Sequence, residues 1–566
     1  MACDYAAVLQ PLTRHINSTD LLRLARGFSE TYKDLALSSP IHFLATPVTA
    51  LPTGRETGVF LAIDVGGTNL RVGFVELLGE AEDDSNLAIS RHQNGSKPTK
   101  IRRSHERAWP IEDHMKMDQA DDLFLWIGDC IAGVVKEALD DVSLGVEDLD
   151  EIPMGITFSF PMKQDSISQA TLMPMGKGFA ITSDLNLGKM LLAGYARHCA
   201  DATAATTNGH LISPQKASTP APPSPTATTP RLPRLKIAAI TNDTVATYAS
   251  LAYSTPTSSN SRVAMGLVVG TGTNATVPMP LSALSPSKTQ HLDLRPPPPP
   301  LSSSSSDEDD TTTTRIIVNT EWSVCGTERP LKRLGVPTIW DVELDRACDA
   351  PGFQPVEYMT AGRYLGELVR IALVQLLPEV CGGGSAREDL PPALLQRNAV
   401  STRFLATVVA VLDDDEALAR CLEERYPPPA EGTGAFAWTR ERVGLLRAVA
   451  EAVQVRSAAL VAAMIVGLLA RVGEVCLDDD DGEEVAGSNG DGGAPAPAEK
   501  EELIVAHTGG VILQYPGYLE ICEKWIETLL SKGSPKNASK RVVLGEAKDG
   551  GVIGAAVLAG MFAEAR

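Results

Sequence analysis

The sequence predicts an α/β chain built as two related lobes with a ligand between them, and three observations predict it. Two apolar strand runs, Val59–Ile63 and Ala264–Val269, each lead into a turn carrying Gly-Thr-Asn and continue directly into a second strand. They stand about 200 residues apart, as a duplicated unit would. A third apolar run, Ile237–Ile240, delivers Asn242-Asp243-Thr244 at its carboxyl end ahead of a helix rich in small residues. That is where open α/β sheets bind their ligands.

The elements follow in order. Ser18-Thr19-Asp20 is expected to cap a helix whose apolar face runs through Leu21, Leu24, Phe28, Tyr32 and Leu35. Strand Val59–Ile63 ends in Asp64-Val65-Gly66-Gly67-Thr68-Asn69, and Arg71–Val75 follows at once. Strand, Gly-Gly turn and strand make a hairpin. That argues against a dinucleotide-binding unit, which needs a helix after its glycines. The second hairpin turns through Gly270-Thr271-Gly272-Thr273-Asn274 into Ala275–Pro278.

Three segments break the globular pattern. Residues 203–234 are rich in Thr, Pro, Ala and Ser; residues 285–314 hold runs of Pro, Ser and Thr; residues 477–500 hold an acidic run followed by Gly, Pro and Ala. None can bury enough apolar surface to offset its ordering entropy, so all three read as surface loops. The expected division is residues 1–209, an insertion at 210–234, and residues 235–566 carrying the insertions 285–314 and 477–500.

Composition narrows the class. At roughly 150 residues per domain, 566 residues give about three to four folding units or two large ones. With 43% hydrophobic residues the chain can bury sizeable cores. A net charge of −21 makes a nucleic-acid partner a poor expectation, because phosphate contacts need clustered cations. Six of the seven residues Asp478–Glu484 are acidic, so part of that excess is local. Nine cysteines without a Cys-x-x-Cys pair give neither a disulfide framework nor a zinc pattern. The N-terminus has no basic segment leading into an apolar stretch, and the longest purely apolar run, Ala458–Ala470, is 13 residues. The expectation is a soluble, cytoplasmic protein without a membrane span.

Chemistry concentrates at the strand ends. Glycines at 66 and 67 let main chain approach a phosphate, and successive N–H groups with the Thr68 hydroxyl can donate to its oxygens. Asp64 can hold a Mg²⁺-bound water. An ordinary hairpin turn explains the same residues; the second turn at 270–274 favours two loops on one polyphosphate. Asp243 can accept a proton from a hydroxyl positioned by Asn242, although Asp243 or Thr241 as a plain helix N-cap fits equally well. Ser159, Glu321, Gln354 and Glu357 are polar residues set in apolar or aromatic text. Such pairings suit polyol recognition, where each hydroxyl wants a donor and an acceptor.

These motifs, in this order, resemble the hexokinase family. The resemblance runs from Leu51-Pro52-Thr53-Gly54 and the first hairpin through Thr157-Phe158-Ser159-Phe160-Pro161, Lys177-Gly178-Phe179 and Asn242-Asp243-Thr244. It continues through the second turn, Asn319-Thr320-Glu321-Trp322, Gly362-Arg363-Tyr364-Leu365-Gly366-Glu367 and Tyr515-Pro516-Gly517-Tyr518. Outside the insertions it covers roughly residues 15–565. The resemblance implies an actin-like ATPase (ribonuclease H-like) fold closing over sugar and Mg-ATP, with ATP and Mg²⁺ required. Asp243 would be the catalytic base for the C6 hydroxyl, assisted by Lys177. Ser159, Gly176, Lys177, Asn242, Asn274, Glu321 and Glu357 would line the sugar, with Gln354 supporting Glu357. Asp64, Gly66, Gly67, Thr68, Asn69 and Arg71 would serve the phosphates from one side and Thr271 and Gly272 from the other, with Gly509 and Gly550 on the nucleotide side.

The departures from the family are informative. Ordinary hexokinases precede Lys-Gly-Phe with Trp-Thr; this chain reads Met175-Gly176-Lys177-Gly178-Phe179. Losing the Thr hydroxyl weakens glucose recognition by roughly 1–2 kcal/mol and opens room for a 2-acetamido group against Met175. In this the chain resembles a divergent fungal branch that includes N-acetylglucosamine kinases. The family's Asp-Gly-Ser/Thr near the adenosine appears as His507-Thr508-Gly509-Gly510, and its later Asp-Gly-Ser-Gly as Asp549-Gly550-Gly551-Val552, where Val552 resists a positive φ. An N-acetylglucosamine 6-kinase is therefore expected ahead of an ordinary glucose, mannose and fructose hexokinase. A sugar-sensing regulatory protein, with protein partners at the insertions, is the alternative of another class.

Overall fold

Apolar runs bounded by glycine turns become strands, and in chain order these are β1 (Leu44–Ala45), β2 (Thr57–Val65), β3 (Asn69–Leu78), β4 (Ile101–Pro110), β5 (Glu151–Phe158), β6 (Met162–Ser166), β7 (Gln169–Leu172), β8 (Arg234–Thr241), β9 (Ser261–Val269), β10 (Thr273–Pro280), β11 (Arg315–Asn319), β12 (Glu501–Thr508) and β13 (Lys540–Glu546). The structure, a computed structural model, describes residues 5–79, 100–112, 114–115, 120–147, 149–173, 185–199, 232–255, 258, 260–294, 315–380, 387–429, 436–478 and 500–563.

The chain forms two compact units. One joins Met1–Gly54 to Asn242–Gly554; the other joins Arg55–Thr241 to Ala555–Arg566. This differs from the division expected at 210–234. The N-terminal segment belongs with the later part of the chain because β1 pairs with β11, Leu44 opposite Asn319. In addition, the helix Ser18–Ser38 packs on the helix Arg440–Arg471 so closely that a Cβ at Gly467 would stand 2.6 Å from the Ala25 carbonyl oxygen.

Each unit holds one main sheet, and the two share a pattern. In the smaller unit the order is β4-β3-β2-β5-β8. The first two pairings are antiparallel and the last two parallel. In the larger unit β11-β10-β9-β12-β13 repeats that sequence of pairings, with β1 added at the edge. Two copies of one mixed sheet, each begun by a hairpin, are the actin-like ATPase architecture, and the duplication expected from the two Gly-Thr-Asn turns is real.

Each sheet has its own core. In the smaller unit Leu61, Ile63, Val72, Phe74, Ile152 and Ile156 pack against Phe124, Ile127 and Ile131 of the helix Ala120–Leu139. In the larger unit the 32-residue helix Arg440–Arg471 runs through the core. By length and composition it could cross a bilayer, yet 94% of its most apolar window is buried inside the protein, as expected of a core helix. Arg456 on this helix is buried with Asp341, at 2.7 and 2.9 Å, and Asp341 also accepts from the Thr338 N–H and hydroxyl, so neither charge is left uncompensated.

Local details correct several expectations. Asn17, not Ser18, caps the first long helix, its Oδ1 accepting from the Asp20 N–H at 3.0 Å. Asn242, rather than Asp243 or Thr241, caps the helix Asp243–Ser254. The segment expected as an insertion from 285 begins in ordered structure: Pro286–Thr289 is a short helix, and the Lys288 ammonium donates to the Leu35 and His42 carbonyls. At the start of the third, the Leu477 carbonyl accepts from the Arg26 guanidinium. Val552 lies within the helix Gly550–Phe562 and needs no positive φ; Asp549 takes it instead, at +49°.

His507, near the end of β12, is 1% exposed, and burial pushes its imidazole down to about 4. Between that value and 6.5 the unfolded chain binds a proton there that the native state does not, so stability falls as pH drops through this window. The expected loss by pH 4 is about 3 kcal/mol. Urea unfolding at pH 7 and pH 4.5 checks it: His507→Met should flatten the pH dependence, and an equally steep profile in the variant would remove His507 as its source.

Candidate active site

In the larger unit, β9 and β10 meet at the turn Gly270–Thr273, and that turn is held almost wholly through its main chain. The Gly270 N–H donates to the Gly272 carbonyl at 2.9 Å. The carbonyls of Gly270 and Thr271 accept from the N–H groups of Gly362 and Arg363, at 2.7 and 3.3 Å, which opens the helix Gly362–Val380 directly on the turn. The Thr273 N–H donates to Glu357 Oε1 at 3.1 Å, and the Ser323 hydroxyl donates to the same oxygen at 3.3 Å. Glu357 is 2% exposed. Its own N–H donates to the Gln354 carbonyl at 3.0 Å, so Gln354 meets Glu357 through main chain.

A second cluster stands on β10 and at the end of β11. Asn319 Nδ2 donates to Glu321 Oε1 at 2.8 Å, while Asn274 Nδ2 donates to Asn319 Oδ1 at 2.8 Å and to Glu321 Oε1 at 3.5 Å. Asn274 Oδ1 accepts from the Ala275 N–H at 2.8 Å, which fixes which end of that amide points where. Glu321 takes a φ of +49°, a region seldom occupied by a residue with a side chain, and sits directly beyond the strand. The family resemblance flagged Asn274 and Glu321. It missed Asn319 as a member of the same network, although the Asn-Thr-Glu spacing was visible.

Asp243 opens its helix half-buried, one residue after the capping Asn242, whose Oδ1 accepts from the Thr244 N–H and hydroxyl at 2.9 and 2.8 Å. That helix lies on β9, where a Cβ at Gly266 would collide with the Thr244 carbonyl. Gly509 reaches the Gly270–Thr273 turn from β12: it has φ +118°, and a Cβ there would lie 2.4 Å from the Val269 carbonyl. Gly550 packs against Thr247 and Ser250 of the Asp243 helix.

Where the helix Gly362–Val380 begins, a cavity of about 180 Å³ opens, lined by Cys348, Arg363, Tyr364, Arg397, Asn398 and Thr402 among others. Asp349 bridges the two arginines, at 2.8 Å to Arg363 and 3.1 Å to Arg397. The Thr402 hydroxyl donates to the Gly362 carbonyl at 2.6 Å, tying the far wall to the turn-binding segment. The Gly-Arg-Tyr block was legible in the sequence; the wall from residue 397 to 402 was not.

In the smaller unit the first hairpin presents Asp64 and Arg71 as cross-strand partners. Its turn closes with the Gly66 N–H on the Asn69 carbonyl at 2.9 Å, leaving Thr68 and Asn69 exposed. The Ser159 N–H donates to the Val65 carbonyl at 2.9 Å, which seats Ser159 beside the base of that hairpin. Asp64 is half-buried, and no group of three or more His, Cys, Asp or Glu side chains forms a metal cage among the described residues. One carboxylate beside an exposed glycine turn would fit Mg²⁺, which keeps waters and takes most of its protein contact from one or two carboxylates and substrate phosphates. Gly176 and Lys177 lie outside the described residues.

Two sequence-family profiles, both described as Hexokinase, match residues 9–253 and 264–561. The hexokinase of Schistosoma mansoni is 28% identical over 374 residues, which cover 65% of this chain and 63% of that protein. Hexokinase-2 of Oryza sativa subsp. japonica is 26% identical over 529 residues, 93% of this chain and 84% of that protein. The solved structure of the Schistosoma mansoni hexokinase complexed with glucose superposes with a TM-score of 0.67 at 24% identity, covering 99% of this chain and 100% of that one. That likeness is one of fold.

Because Asn319 joins both partners of the second cluster, Asn319→Ala leaves the half-buried Asn274 amide and the buried Glu321 carboxylate each short of a bond. A destabilisation of about 2–4 kcal/mol in urea unfolding is expected at roughly 1–3 kcal/mol per unmade buried bond; a change below 0.5 kcal/mol would show that water replaces Asn319 without cost.

Proposed function

The chain belongs to the hexokinase family of sugar kinases, and we propose that it transfers the γ-phosphoryl group of ATP to the C6 hydroxyl of a hexose. The observation that carries the reading is the paired-carboxylate arrangement of one unit. Glu321 is oriented by Asn319, and Glu357 is bonded to the main chain of the Gly-Thr-Gly turn. Asp243 opens a helix on the same sheet. A polyol needs several oriented acceptors, and a phosphate needs close main-chain N–H groups; here one unit carries the carboxylates of Glu321 and Glu357 together with the Gly-Thr-Gly turn that Glu357 holds.

In this mechanism Asp243 takes the proton of the attacking hydroxyl while Asn242, Asn274, Glu321 and Glu357 hold the sugar, together with Ser159 and Lys177. Thr271, Gly272 and the Asp64–Arg71 hairpin receive the phosphates, and the cavity beside Arg363 and Tyr364 takes the nucleoside. Mg²⁺, held by way of Asp64, would neutralise charge on the transferring phosphates. Phosphoryl transfer asks little covalent chemistry of the protein; alignment and charge placement supply most of the acceleration. All seven cysteines among the described residues are free thiols, which supports a cytoplasmic setting.

For the acceptor we infer N-acetylglucosamine ahead of glucose. Gly176 and Met175 support it, because an absent hydroxyl and a softer wall favour a 2-acetamido group over a bare 2-hydroxyl. The Schistosoma mansoni protein was solved with glucose, which supports glucose as the competing acceptor. ADP release with N-acetylglucosamine, glucose, mannose and fructose, each with Mg-ATP, decides the order. Turnover led by N-acetylglucosamine, moving towards glucose in Gly176→Thr, is expected; an unchanged ranking in that variant would sink the size explanation.

The side-chain-free Gly509 and Gly510, beside a turn proposed for phosphate, favour one competing reading, a sugar sensor without turnover. Asp243→Ala separates the two. It should lower kcat by roughly 10²–10⁴-fold, the span of general-base contributions, and leave sugar affinity within about threefold. Sugar binding without ADP release by the unaltered protein would hand the case to the sensor.

A further inference from the structure

Glu321, a carboxylate that the proposed function uses, holds an unusual backbone conformation, and two of the groups that brace the stretch around it come from the far end of the sequence. The stretch Thr320–Val324 leaves β11 and doubles back: the Thr320 N–H donates to the Ala275 carbonyl at 3.0 Å, and the Val324 N–H donates to the Glu321 carbonyl at 3.1 Å. Alongside runs the N-terminal segment Ser39–Ala45, whose β1 pairs Leu44 with Asn319. The Phe43 N–H donates to the Thr320 carbonyl at 3.0 Å, and His42 Nε2 meets the Val324 carbonyl at 3.3 Å. One residue pair thus grips a carbonyl on each side of Glu321.

We propose that His42 is a positioning residue for the sugar site, holding the Glu321–Val324 turn so that the Glu321 carboxylate is oriented before sugar arrives. This rests on the reading of Glu321 as a sugar ligand.

The chemistry of His42 fits the task. The Val324 carbonyl can only accept, so Nε2 carries the proton, and in the neutral ring Nδ1 is then an acceptor. It has a donor: Ser39 Oγ stands 2.7 Å away. Burial lowers the imidazole's pKa below its ordinary value, which keeps this neutral form in place near pH 7. The ring is 1% exposed. It fills the space next to Gly326, where a Cβ would stand 3.5 Å from His42 Cε1 and where the backbone takes φ +115°. The carbonyl of His42 itself accepts from the Lys288 ammonium, which also bonds the Leu35 carbonyl at 3.2 Å near the end of the helix Ser18–Ser38. The imidazole is therefore held by Ser39 at Nδ1 and packed beside Gly326, the main chain of its residue is tied by Lys288, and its Nε2 bond is spent on the turn beyond Glu321.

Two variants of the full-length protein test this, with sugar affinity read by titration calorimetry and kinetics by ADP release. His42→Ala removes the donor. Sugar Kd and KM should rise at least tenfold, while ATP KM and kcat at saturating sugar stay within threefold. His42→Gln places an amide N–H near the position of Nε2 and should bring sugar affinity back to within threefold of the unaltered protein. Unchanged sugar affinity in folded His42→Ala overturns the inference while leaving the sugar-kinase reading intact. Equal loss in ATP and sugar parameters, or a fallen Tm with no rescue by Gln, also overturns it, since a merely structural histidine behaves that way. Unaltered protein that binds none of the four hexoses overturns the reading of the site, and the inference with it.

Discussion

A turn made of Gly, Thr, Gly and Thr has no apolar side chain with which to anchor itself, and the packing around Gly270–Thr273 follows from that constraint. Its carbonyls are met by the first N–H groups of the helix Gly362–Val380, so the helix start and the turn each complete the other's hydrogen bonding. Its Thr273 N–H is met by a buried carboxylate. Its approach to β12 is permitted only because Gly509 has no Cβ and accepts φ +118°. The stretch Gln354–Tyr364 therefore touches the turn at both ends, with Glu357 at one end and the lining of the 180 Å³ cavity at the other. A displacement of the turn is felt at both.

The same reasoning explains why Glu321 is built as it is. A residue with a side chain at φ +49° is held there at a cost of about 1–3 kcal/mol, and the main-chain bonds of the preceding Thr320 to Ala275 and Phe43 brace it. The Asn274–Asn319–Glu321 network then fixes the carboxylate itself, with amide ends assigned by their partners. A carboxylate so held has lost most of its conformational freedom before any ligand binds, which is the condition for selective recognition of hydroxyl geometry.

How much of this was legible in the sequence depended on how local the signal was. The hairpins were, because apolar strands interrupted by glycine have few other structures open to them. The duplication followed from their likeness. The N-terminal segment's place was hidden: β1 is two residues long, Leu44–Ala45, and its pairing with β11 joins positions some 270 residues apart. Helix starts were placed one residue off at Ser18 and Asp243, since a run of Asn, Ser, Thr and Asp offers several capping side chains and only the backbone decides among them. Asn319 stood in a recognisable block without a role of its own and His42 gave no sign at all, because a polar residue in apolar text looks the same whether it touches a ligand or holds something that does.

The side proposed for nucleotide shows what a main-chain site can tolerate. Where the family resemblance leads one to expect hydroxyls and a carboxylate, the chain has Thr508-Gly509-Gly510 and Gly550-Gly551. A Cβ at Gly510 would meet nothing within 4 Å, so no steric demand made that residue glycine. Gly509 and Gly550 are different: neighbouring backbone fills the space a side chain would need. The turn that would receive phosphate has its carbonyls held by Gly362 and Arg363 and its Thr273 N–H held by Glu357, and the substitutions alter none of these three residues. Under the proposed function, loss of a hydroxyl at 510 or 551 would remove a donor from the rim of such a site and leave the frame that aims its main chain, so the departures would bear on how tightly nucleotide is held more than on where it sits.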